Sequence, residues 1–171
     1  MATYKGVKGV QELADSIHDK LRSVVARSGS AIALELIETS EQVGAIGAES
    51  YPTKVGEVYN EVGDYINNWH VSTTVRSNLN PPDPLASDAR IDAIEFERSY
   101  ELGKSVYIYN TVEYAENVEE GWPEMPELGW KSREGYNVFG IVAENVDEIL
   151  VKVATSVSKG EVVDDGSDVP F

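Results

Sequence analysis

The chain has 171 residues, a length suited to one domain, and 42% of them are apolar, ample for a packed core and against global disorder. Its 30 acidic and 14 basic residues leave a net charge of −16, which argues against a protein that grips nucleic-acid phosphates and against contact with an anionic membrane. Cysteine is absent, so disulfide and thiolate chemistry are excluded. The opening MATYKGVKGV lacks the apolar centre of a signal peptide, and no uncharged apolar run approaches the roughly 18 residues of a membrane span. The expected setting is a cytoplasm, or release from one.

From Val10 to Val43 apolar residues recur with a helical period, through Val10, Leu13, Ile17, Leu21, Val24, Ile32 and Leu36. Asp15, Asp19, Lys20 and Arg22 mostly take the other face. Gly29, between Ser28 and Ser30, predicts a kinked helix or two helices meeting there, because an interior glycine costs about 1 kcal/mol against alanine. The stripe suits a helix packed on a sheet, or a helix that binds a partner. A connection over 44–62 follows, with Tyr51-Pro52 extended. The segment 64–75 reads as a strand, with Trp69, Val71, Thr73 and Val75 on one face and His70, Ser72 and Thr74 on the other. Residues 78–87 hold three prolines and two asparagines and predict an exposed loop. The segment 91–100 reads as a second strand, Ile91 and Ala93 on one parity and Ile94 and Phe96 on the other, with a bulge near Ala93 or Ile94.

A third strand is expected at 106–109, with an Asn110-Thr111 turn after it. Tyr114, Ala115 and Val118 then fall at helical spacing up to a stop at Gly121. The loop beyond carries Trp122, Pro123, Met125, Pro126 and Trp130. Residues 136–143 read as a fourth strand, and Val146, Ile149, Leu150, Val153 and Val157 as a helical stripe. The fold expected is α+β: an antiparallel sheet of about four strands, with a long N-terminal helix and a C-terminal helix packed on it. Residues 1–157 form the single domain. Residues 158–171, acidic with two glycines and a proline, form a flexible tail whose last residues, Val169-Pro170-Phe171, are apolar enough to dock on a neighbour.

The order strand, Asn turn, Tyr-Ala, glutamate-rich turn, Gly and aromatic resembles the small tail-completion or minor tail components of long-tailed bacteriophages. That family carries a segment N-x-x-x-Y-A-x-x-x-E-x-G, seen here as Asn110, Tyr114-Ala115, Glu119 and Gly121, with Glu120 between the last two. It also carries a glycine followed by an S-W-x-V strand, matched by Gly63 and then Asn68-Trp69-His70-Val71, where Asn replaces the small polar residue. The likeness covers most of the chain from Val10 to Val157. It implies a structural role in the virion: a ring, of six subunits, in the neck or tail between the head connector and the tail tube, assembled in the host cytoplasm. The partners implied are other copies of the chain and other neck and tail proteins. DNA would pass through without specific binding, and the acidic balance suits such a channel.

Nothing in the residues predicts a catalytic, cofactor or metal site. His18 and His70 lack the spacing of a metal-ligand set, and no GxSxG, P-loop or GxGxxG motif is present. The glutamates between 113 and 127 read as a solvated face, although two facing carboxylates are also what a glycoside hydrolase needs. A small hydrolase using such acidic residues, or a binding module that forms no ring, are the alternatives. Trp122 and Trp130 either cover the sheet edge or form a protein interface, where Trp is enriched. The interface residues expected are Tyr114, Trp122, Pro123, Met125, Trp130 and Phe171.

Overall fold

A computed structural model describes residues 4–45, 51–52, 58–59, 64–75, 89–112, 114–124, 126, 129 and 131–160. Its first element, α1, runs Tyr4–Val43 without interruption and is about 60 Å long at 1.5 Å per residue. The expected break at Gly29 does not occur. The missing side chain serves packing instead: a Cβ on Gly29 would stand 2.9 Å from Phe96 Cε1 and 3.0 Å from Val106 Cγ1. Glycine here lets the helix backbone approach the layer beneath it.

The short strands β1 (Tyr51–Pro52) and β2 (Val58–Tyr59) pair antiparallel. A helical turn, α2 (Asp64–Asn67), leads into β3 (Trp69–Ser72), so the strand expected over 64–75 is confined to its centre. Trp69 and Val71 are buried while His70 and Ser72 are half-buried, which matches the alternation read from the sequence. β3 pairs antiparallel with β4 (Tyr107–Asn110), Trp69 opposite Asn110 and Ser72 opposite Tyr107.

The segment expected as a second strand is a helix, α3 (Ala89–Ser99). Ala89, Ala93, Phe96 and Tyr100 are buried and fall at i, i+4, i+7 and i+11, a helical stripe. The strand reading rested on two alternations, Ile91 with Ala93 and Ile94 with Phe96; Ala93 and Phe96 are buried on one helical face, while Ile91 is 49% exposed. Arg90 reaches Glu41 at 2.9 Å, Arg27 reaches Glu97 at 3.0 Å, and Arg22 donates to the carbonyls of Arg98 and Tyr100. α3 therefore lies antiparallel along α1, and a guanidinium answers the orphan carbonyls at its C-terminus.

Beyond α4 (Ala115–Glu120), β5 (Gly121–Trp122) pairs with β6 (Arg133–Glu134). The last element, α5 (Val138–Lys159), absorbs the expected fourth strand. Val138, Val142 and Val153 are its buried residues, so the stripe beginning at 146 in the sequence reading starts two turns earlier. Ser158 and Lys159 complete this helix, and residues 161–171, with Phe171, lie outside the described residues.

The molecule is thus mixed helix and sheet with a long N-terminal and a C-terminal helix. The four-stranded sheet is not found: among the described residues the strands form two-stranded antiparallel ladders only. Two clusters make the core. Leu36, Ile37, Tyr65, Trp69, Val118, Trp122, Val138 and Val142 join α1, α2, α4 and α5, while Ala26, Ala33, Ala93, Phe96 and Tyr100 join α1 to α3. No helix among the described residues is long and apolar enough to cross a membrane.

Candidate functional site

The segment that carries the family likeness sits at the junction of α2, β4, α4 and α5. Asn110 ends β4, and its side chain does two things. Its amide donates to the Tyr65 carbonyl at 2.7 Å, and its carbonyl accepts from the Val112 N–H at 3.1 Å, an Asx turn that sends the chain towards α4. Tyr114 occupies the N-cap of α4, half-buried, and Val118 is fully buried.

Glu119 is the hub. One carboxylate oxygen accepts the Tyr65 hydroxyl, and the other accepts the Phe139 N–H at 3.0 Å. That N–H belongs to the first turn of α5, where orphan donors and the helix dipole favour an anion. Burial, together with the adjacent Glu119 carboxylate, pushes the Tyr65 phenol above its ordinary pKa, so it stays neutral and donates. The C-terminal carbonyls of α4 are answered in turn: Tyr136 N–H donates to Val118 and Asn137 N–H to Glu119. This crossing leaves no room for side chains, since a Cβ on Gly121 would overlap the Arg133 carbonyl and one on Gly135 the Glu119 carbonyl; Gly121 also has a φ of 106°. Glu119 is therefore a tether between helices.

Against this junction lies a groove of about 230 Å³, lined by Trp69, Ile108, Tyr109, Ala115, Glu116 and Phe139 among others. Phe139 is 53% exposed at its edge, and Glu116 is exposed.

A second polar array joins β3 to α3. His70 Nδ1 stands 3.4 Å from Asp92, and Nε2 stands 3.2 Å from the Thr111 hydroxyl, which donates to Asn68. Carboxylate, imidazole and hydroxyl follow one another as in a nucleophile relay. The array links strand to helix, with His70 between Asp92 of α3 and Thr111 beyond β4. Among the described residues no group of three or more metal-binding side chains could hold a metal ion.

Of the expected interface residues, Tyr114, Trp122 and Pro123 lie among the described residues. Trp122 is 4% exposed and packs in the core cluster with Trp69 and Val138, so its ring is not on the surface of the loop. Pairing with β6 turns Trp122 inward, and the sequence alone did not reveal that pairing. Tyr114 is half-buried and Pro123 exposed, while Met125, Trp130 and Phe171 lie outside the described residues.

What the sequence reading did not single out is the first half of α1. Every residue from Gly9 to Leu21 is exposed, yet Val10, Leu13, Ile17 and Leu21 remain 69%, 62%, 50% and 53% exposed along one side of the helix. The signal was present in the change of residue types. Small residues Ala26, Gly29, Ser30 and Ala33 admit close packing, whereas Glu12, Asp15, Asp19 and Lys20 crowd the earlier turns.

Comparison of the chain with family models, with curated proteins and with solved structures finds no match.

Proposed function

We propose that this chain is a structural assembly protein, a neck or tail-completion component of a long-tailed phage, which joins copies of itself into a ring between head connector and tail tube. The observation that supports this most is the uncovered apolar stripe of α1. A soluble monomer rarely leaves four large aliphatic residues in line on one helix, and such patches mark interaction sites. The phage setting and the six-fold count rest on the resemblance carried by Asn110, Tyr114-Ala115, Glu119 and Gly121. The proposal assigns the chain no reaction: Glu119 is used up in tethering α5, and the acidic surface serves a passage that repels DNA.

The test is the state of the full chain in solution. Sedimentation and electron microscopy of wild type should show closed rings, and Ile17→Asp with Leu21→Asp should return the chain to monomers that melt as wild type does. A wild-type chain that stays monomeric up to millimolar concentration overturns the assembly proposal.

A further inference from the structure

The groove beside Glu119 and the exposed half of α1 complement each other and lie at opposite ends of one rigid helix. The groove is apolar in its floor, with Trp69, Ile108, Tyr109 and Phe139, and carries Glu116 at its rim. The helix around it, AENVEE, holds three glutamates and no cation. The first turns of α1 have the opposite character: between Tyr4 and Gln11 there are two lysines, Lys5 and Lys8, and no carboxylate, and Val10 and Leu13 follow with their side chains in water. Over Lys5–Leu13 the charged residues are two lysines and Glu12, so in a chain of net charge −16 this stretch approaches an acidic rim with a small positive balance.

The helix cannot fill its own groove. Trp69 Nε1 donates to Ser40 Oγ at 3.3 Å, which fixes the groove at the C-terminal end of α1. Val10 stands thirty residues earlier, about 45 Å away along a continuous helix. We infer that the start of α1, with Lys5, Lys8, Val10 and Leu13, docks in the Phe139–Glu116 groove of a second copy of this chain. The inference rests on the assembly proposal and specifies its interface. Donor and acceptor are different surfaces, so the contact is heterologous: it passes head to tail and closes a ring when the rotation permits.

A mixing experiment on the full chain tests this. One variant breaks the arm (Val10→Asp with Leu13→Asp). The other breaks the groove (Phe139→Ser with Glu116→Lys). Circular dichroism and melting curves should match wild type for both, since each changes only exposed side chains; if the Phe139 change unfolds the chain, Glu116→Lys alone serves. Each variant alone should be monomeric by sedimentation. Mixed in equal amounts, they should form a dimer and stop at two, because only one good arm meets one good groove. A charge exchange adds a second arm to the test. Lys5→Glu with Lys8→Glu should weaken association at least tenfold, and adding Glu116→Lys to the same chain should restore most of it. If wild type assembles but the mixture stays monomeric, the docking inference fails and the assembly proposal stands. If wild type does not assemble at all, both fall.

Discussion

The two halves of α1 belong to one helix and obey different rules. From Ala26 to Ser40 the helix is wrapped by neighbours: Ala26, Ala33, Leu36, Ile37, Thr39 and Ser40 are all at most 5% exposed. Its side chains are small where α3 packs, at Ala26, Gly29 and Ala33, and large where α2, α4 and α5 meet it, at Leu36 and Ile37. From Gly9 to Leu21 every residue is exposed, and aliphatic residues recur at the same helical spacing. Periodicity alone therefore identifies a helix with an apolar face and is silent on what meets that face. In one half the partner is the rest of the chain; in the other it is proposed to be another copy.

Substitutions can set these two halves apart. The largest effect is expected at the base of the helix, where Trp122 and Leu36 share a cluster. Trp122→Ala should cost about 3–5 kcal/mol and Leu36→Ala about 2–5 kcal/mol in urea unfolding, as large-to-small core changes do. A Trp122→Ala chain that melts like wild type would contradict the core placement. Next comes Gly29→Leu. It forces a side chain against Phe96 and Val106 and should cost about 1–3 kcal/mol, the range of an overpacked core; full stability would mean that the helix can lift away there.

Tyr65→Phe comes third. It leaves a Glu119 oxygen without its phenol donor and should cost about 1–3 kcal/mol. It also carries a pH signature. The phenol's pKa is raised in the folded state, so its contribution is fully present below the ordinary phenol value of about 10 and is lost as pH rises above it. Wild type should lose stability in that alkaline range more steeply than Tyr65→Phe, and equal slopes measured by denaturant titration would sink the assignment. The smallest effect on folding is expected in the exposed half. Leu13→Ala should shift monomer stability by no more than about 0.5 kcal/mol, as surface changes do, while sedimentation shows weaker association. A loss comparable to that of Leu36→Ala would place Leu13 in a core.

Much of the fold was legible where a pattern is local. The alternation at Trp69–Ser72, the Asn turn at Asn110, the short helix after Tyr114 and the long first helix all stand close to where the residues put them. Two helices were misread as strands for physical reasons. In α3 the pairs Ile91–Ala93 and Ile94–Phe96 read as alternation with a bulge, whereas Ala93 and Phe96 are three apart on one buried helical face. In α5 the run Val138–Ala143 is rich in β-branched residues, whose strand preference yields to tertiary context. Gly140 leaves room beside the Asn137 side chain at the helix start. The site was less legible because its parts are distant in sequence. Glu119 meets Tyr65 and Phe139, and Trp122 is turned inward by Arg133, and no spacing within one segment announces such meetings.

The clamping of Gly29 reaches beyond packing. A glycine in the middle of a 40-residue helix would ordinarily be its softest joint, and a bend of about 4° there would swing Val10, about 28 Å away along the helix, by about 2 Å. In a head-to-tail array that angle is repeated by every copy, and six copies close only if each turns by about 60°. Phe96 and Val106 stand close against the bare backbone at Gly29 and so oppose a bend of the arm towards them. Subunit number in such a ring would then be written in the stiffness of one helix, and loosening Phe96 would broaden the distribution of ring sizes before it unfolded anything.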